Sequence, residues 1–183
     1  VYVMSRKAAE LVKLAVNCYL TTKISYANMI GQVMHKSGMG DEIDNVLDAI
    51  GSDSRVGHKY LGFGFGFGGP CLPRDNRAFA ACASKLGLEY NLGQVTDSFN
   101  HEHNSFLLDY YVKMNKKHLP FAFDSVAYKR GTDIITESQQ YKLCLSLLDR
   151  GYKVYVVDNI VEHQCDSRIE WSVPEEDVIW IEL

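Results

Sequence analysis

From Gly62 the chain alternates glycine with phenylalanine as far as Gly68, adds Gly69, and runs into Pro70-Cys71-Leu72-Pro73. No regular element is built this way. Glycine weakens the interior of a strand or helix, and Pro73 has no N–H to give a ladder. The stretch predicts a tight loop whose backbone lies against a ligand and which ends in a held cysteine. Gly64-Phe65-Gly66-Phe67-Gly68-Gly69 also satisfies the dinucleotide pattern G-x-G-x-x-G. That pattern carries meaning only after a buried strand and before a helix. Here polar residues, Asp53 to Lys59, come before it and Pro70 follows at once, so it is rejected as a dinucleotide fingerprint.

Helices are expected on both sides of this loop. Apolar residues at helical spacing (Leu11, Ala15, Cys18, Ile30, Met34) predict one long helix from about Ser5 to Ser37, with Ser5 as N-cap and Gly38 as stop. Such a helix, apolar on more than one side, runs through the middle of a structure or along an interface between subunits. Lys13 and Asn17 share one of its faces, although Lys13 read alone is a solvated residue paired with Glu10. A short helix follows, with Asp41 as expected cap and Ile43, Val46, Leu47 and Ile50 as its buried stripe. After the loop, Asp75 reads as the N-cap of a helix from Asn76 to Leu86. Cys71 lies just outside that start, where a helix N-terminus stabilises a thiolate pointed at it. A further helix is expected over about 97–117, with His101 and His103 on different faces and read as surface residues rather than metal ligands.

Past Pro120 the pattern changes to strand (121–126), loop, helix (137–150) and strand (152–157), with a third strand candidate at 178–183. This is a βαβ unit, so its first two strands should be parallel. The loop after the first strand carries Lys129 and Arg130 at the carboxyl edge, where open α/β sheets bind ligands.

Composition bounds the function. The 183 residues carry a net charge of −4, which gives no general electrostatic case for nucleic acid. No apolar run approaches a membrane span, and no signal peptide is evident. Five cysteines without a C-x-x-C pair suit a reducing, cytoplasmic setting. The expected fold is α/β overall: an all-helical domain built on the long helix over residues 1–118, then a small parallel α/β unit over 119–183.

Three blocks, in order, resemble the UDP-glucose/GDP-mannose dehydrogenase family. The first is Ala9-Glu10-Leu11-Val12-Lys13-Leu14-Ala15-Val16-Asn17 with Lys23-Ile24-Ser25 and Asn28. The second is Gly51-Ser52-Asp53-Ser54-Arg55-Val56-Gly57 leading to Gly66-Phe67-Gly68-Gly69-Pro70-Cys71-Leu72-Pro73-Arg74-Asp75. The third is Ala127-Tyr128-Lys129-Arg130-Gly131-Thr132-Asp133 with Glu137-Ser138, followed by Gly151 to Asp158. The sequence departs from the family at Met29, Ile134 and Thr136, where the family has an acidic residue, an aspartate and an arginine.

The resemblance implies oxidation of the C6 alcohol of a UDP- or GDP-sugar to a carboxylate, with NAD as cofactor. It implies that Cys71 is the nucleophile, that Lys13 and Asn17 stabilise an oxyanion, and that Asp75 assists water and proton transfer. It implies substrate binding by Arg55, Tyr60, Gly64, Phe67, Gly68 and Lys129, and cofactor contact at Gly68 and Cys71. No metal is implied. The helical part would be the family's central dimerisation domain, pairing two copies through the long helix, and the second part a truncated nucleotide-sugar-binding, Rossmann-like domain. NAD would be held mainly by an N-terminal domain lacking here, so these residues alone are expected to be inactive. The alternative is a non-catalytic relative that keeps dimerisation and nucleotide-sugar binding.

Overall fold

A computed structural model describes residues 1–182. The chain divides into two compact units, Val1–His101 and Glu102–Leu183.

The first unit is helical. Helix α1 (Arg6–Lys36) starts at Ser5, whose side chain accepts from Ala8 N–H, and stops at Ser37, with Gly38 at φ 76° just beyond. Both ends follow ordinary capping chemistry. A 3-10 turn (Gly40–Glu42) leads into α2 (Ile43–Gly51). Asp41 lies inside that turn and neither start has a side-chain cap, so the expected Asp41 cap is not formed. Ala27 and Met34 of α1 pack against Ile43 and Leu47 of α2 and against Leu61 from the glycine loop, with Ile30, Val46, Ile50 and Phe63 around them. Helix α3 (Leu72–Lys85) begins at Cys71 rather than Asp75, with Pro73 in its first turn. Proline suits that turn because its missing N–H would have no partner there anyway. Helix α4 (Leu92–Met114) begins five residues earlier than its apolar pattern suggested. The Asn91 side chain accepts from Gln94 N–H at 2.9 Å, which is the start signal that the pattern hid.

α4 crosses the division between the units. Its second half packs with the sheet unit: Leu107 and Tyr111 are buried there, and the Tyr111 ring meets Phe121 edge to face. His103 is not a surface residue. It is 1% exposed and stacks on Phe106.

The sheet has strands β1 (Phe121–Phe123), β2 (Val154–Val156) and β3 (Ile179–Trp180), in the order β2-β1-β3. β1 pairs in parallel with both neighbours, Phe121 lying opposite Val154 and Ile179. Helix α5 (Gln139–Asp149) makes the crossover between β1 and β2. All three residues of β1 and of β2 are buried, the unbroken apolar run of a strand in a parallel sheet. The strands are shorter than expected, and the last residue expected in β3, Leu183, lies outside the described residues.

Candidate functional site

Pro73 and the turn it starts place Asp75 inside α3, its backbone N–H donating to Cys71 O at 2.9 Å. Cys71 and Asp75 are therefore one helical turn apart on the same face. Cys71 is an exposed free thiol, whereas Asp75 is 3% exposed. A buried carboxylate needs partners, and Asp75 has several. Asn17 Nδ2 donates to its Oδ2 at 2.7 Å and Lys13 Nζ lies 3.4 Å from the same oxygen. Arg74 donates from Nε to Oδ1 at 2.9 Å, with its NH2 group also 2.9 Å from that oxygen. Arg74 first, then Asn17 and Lys13, hold the Asp75 carboxyl below its ordinary range against the opposing effect of burial. Glu10 pairs with Arg6 instead of Lys13, leaving Lys13 to the carboxylate.

A second polar junction fixes how α1 meets α3. Asn76, 0% exposed, accepts from Thr21 Oγ1 at 2.9 Å and donates to Gly93 O at 2.8 Å and to Thr96 Oγ1 at 3.1 Å. Thr21 is one turn beyond Asn17, so adjacent positions of α1 hold adjacent residues of α3. Sequence reasoning did not single out this junction, although Asn76 next to Asp75 at a helix start was a visible signal.

The glycine stretch is an irregular loop, as its composition requires. A Cβ at Gly66 would fall 2.1 Å from Asn100 Oδ1, so a larger residue there would have to displace the Asn100 amide. Phe67 is 2% exposed, and Gly64 and Gly68 are half-buried. Tyr60, at the start of the loop, is 53% exposed and takes φ 61°, a left-handed conformation uncommon outside glycine. Arg55 sits in the preceding turn, where the Asp53 carboxylate accepts from its backbone N–H at 2.9 Å and from its Nε at 3.0 Å. Lys23 Nζ donates to Val56 O at 2.9 Å and Gly57 O at 2.7 Å, tying that turn to α1. Lys129 is exposed on the loop that follows β1, in the second unit. Its carbonyl accepts from Thr132, and the neighbouring Arg130 pairs with Asp124 at 3.1 Å.

The structure thus brings Lys13, Asn17 and Asp75 together, with Cys71 one turn away. Arg55, Tyr60, Gly64, Phe67 and Gly68 lie along the loop region of the same unit.

The sequence matches a known family. The profile of the UDP-glucose/GDP-mannose dehydrogenase family, central domain, matches residues 7–102, more than half of the chain. The chain belongs to this family. UDP-glucose 6-dehydrogenase AglM of Haloferax volcanii is 34% identical over 161 residues, which are 87% of this chain and 37% of that protein. GDP-mannose 6-dehydrogenase of Pseudomonas aeruginosa is 30% identical over 172 residues, 86% of this chain and 36% of that protein. The chain therefore spans well under half the length of these curated relatives. Among solved structures, a UDP-glucose dehydrogenase from the hyperthermophilic archaeon Pyrobaculum islandicum superposes with a TM-score of 0.79 at 30% identity, covering 93% of this chain and 40% of that one. The family's fold accounts for both parts of the chain, the helical unit and the small parallel sheet. No helix among the described residues is long and apolar enough to cross a membrane, and no cluster of three or more His, Cys, Asp or Glu side chains among them could hold a metal ion.

Proposed function

We propose that this chain is the cysteine-bearing part of an NAD-dependent nucleotide-sugar 6-dehydrogenase. The observation that carries the reading is the buried Asp75 carboxylate held by Asn17, Lys13 and Arg74, one helical turn from the exposed Cys71 thiol. The substrate is a UDP- or GDP-sugar whose C6 alcohol becomes a carboxylate.

The second oxidation needs covalent capture of the C6 aldehyde. Cys71 Sγ bonds to the aldehyde carbon, and the thiol proton ends on the aldehyde oxygen, giving a thiohemiacetal. The Lys13 ammonium and Asn17 amide stabilise negative charge on that oxygen. Loss of hydride from its carbon and of the hydroxyl proton to solvent gives a thioester. Water then cleaves the C–S bond to release the acid, and the water proton passes by way of Asp75 to the departing sulfur to regenerate the thiol. NAD, when bound, is the hydride acceptor for both oxidations. In the first unit no strand precedes the glycine loop, so these residues form no dinucleotide cradle. Gly68 and Cys71 are the candidate rim of a cofactor site, Cys71 exposed and Gly68 half-buried three residues before it.

Arg55 in the first unit and Lys129 in the second are each taken as candidate substrate contacts, as the family resemblance implies. The protein is expected to pair with a second copy through α1, where Val12, Tyr19, Tyr26 and Val33 recur every seven residues and are 47%, 61%, 41% and 54% exposed.

The test separates binding from chemistry. Calorimetric titration with UDP-glucose and with GDP-mannose is expected to show saturable binding of one of them, weakened by Lys129→Ala. The C6 aldehyde of the bound sugar is then expected to protect Cys71 from iodoacetamide, and protection should fall in Lys13→Met. Binding without protection would favour a non-catalytic binding module, to which the departures at Ile134 and Thr136 also point. Absence of binding to either nucleotide would overturn the substrate reading.

A further inference from the structure

Two buried asparagines grip the glycine loop, one from α1 and one from α4. Asn28, 1% exposed on α1, accepts from Gly64 N–H at 3.0 Å, with its Nδ2 3.5 Å from Phe65 O. Asn100, 5% exposed on α4, accepts from Phe67 N–H at 2.9 Å and donates to Phe67 O at 2.9 Å. The Asn100 pair reproduces what a neighbouring strand would offer one residue, so a loop that cannot form a ladder is held as if it had one. Among the described residues, the N–H groups of Phe65, Gly66 and Gly68 have no acceptor within the chain. The asparagines thus take some of the loop's backbone donors and leave others, on the same short run, uncommitted. Glycines alternate with the phenylalanines of this run and leave its backbone open, and open backbone donors suit an anion such as a diphosphate.

We infer that Asn28 and Asn100 are positioning residues for substrate: they fix the glycine loop so that its remaining N–H groups meet the diphosphate of a nucleotide sugar. The inference deepens the proposed function and rests on it. It assigns Asn28 a task dominated by its carbonyl oxygen, since its donor contact is long, and Asn100 a task that needs both ends of its amide. Gly66 belongs to the same device, because its lack of a side chain is what lets Asn100 approach.

The amide chemistry gives a signature that loss of stability alone would not produce. Each variant of the full chain is titrated with UDP-glucose and GDP-mannose by calorimetry, and its melting is followed by circular dichroism. Asn100→Ala and Asn28→Ala are each expected to weaken binding about tenfold or more, because a freed loop must be ordered again on binding. Asn28→Asp keeps the oxygen that Gly64 uses and is expected to recover most of that loss. Asn100→Asp loses the donor to Phe67 O and is expected to recover none. Should Asn100→Ala not fold, the two Asn28 variants carry the test. Affinities within about twofold of the unsubstituted chain in both alanine variants would overturn the role of the asparagines alone. So would an Asn28→Asp protein as weak as Asn28→Ala. An unsubstituted chain that binds neither nucleotide overturns the substrate reading itself, and this role with it.

Discussion

At the scale of single residues, the Asp75 carboxylate is buried and held by Asn17, Lys13 and Arg74. Its folded-state pKa lies below the ordinary 3.8 because Arg74 hydrogen-bonds to it, with help from Asn17 and Lys13. A depressed carboxylate stabilises the fold above the unfolded pKa and loses that effect as pH falls through the folded value. Asp75→Asn is therefore expected to cost about 1–2 kcal/mol near neutral pH, a figure kept low because Lys13 and Arg74 are largely solvated. The difference from the unsubstituted protein should shrink below about pH 4. Urea melts at pH 7 and pH 3 check this, and an equal loss at both would refute it. Sequence reasoning found Asp75 but gave it a cap's place, because a carboxylate just before a helix and one in its first turn look alike in one dimension. It read His103 as solvated for a similar reason: a polar residue two places from His101 carries no mark that tertiary packing will cover it.

At the scale of elements, local chemistry was the legible part. Ser5 and Gly38 bracket α1 as read, and the buried stripe of α2 is the one its spacing gave. What stayed hidden were the bonds that join elements. Asn100 grips a residue 33 positions away, and nothing in its neighbourhood announces a partner. The start of α5 shows a cap with a second duty. Ser138 Oγ accepts from Tyr141 N–H at 3.1 Å and donates to Val126 O at 2.7 Å, joining the helix start to the loop after β1. Ser138→Ala is expected to cost about 1–2 kcal/mol, more than Ser5→Ala, whose hydroxyl caps an exposed start. Thermal unfolding of the two variants gives the ranking, and equal losses would mean the bond to Val126 contributes nothing.

At the scale of the molecule, the feature to test is the exposed face of α1. Four apolar residues at a seven-residue interval form one narrow strip along a helix of 31 residues. A second copy is the proposed cover, as a strip of this kind suits a helix-to-helix interface. Tyr19→Glu with Tyr26→Glu is expected to shift the chain from dimer to monomer in sedimentation equilibrium while leaving its helix content unchanged. A monomeric unsubstituted chain at high concentration would remove the proposal. The same helix imposes a rule of spacing. Asn17 and Asn28 stand 11 residues apart, about 16 Å along the axis, and one grips α3 while the other grips the glycine loop. Each residue of a helix turns the next by about 100°. Removing one residue between them, say Leu20, would keep Asn17 on Asp75 and swing Asn28 away from Gly64. The segment can exchange its side chains at exposed positions outside the apolar strip and Lys13, yet it has no freedom in length. It works as a toothed gauge, in which the count of residues is itself part of the site.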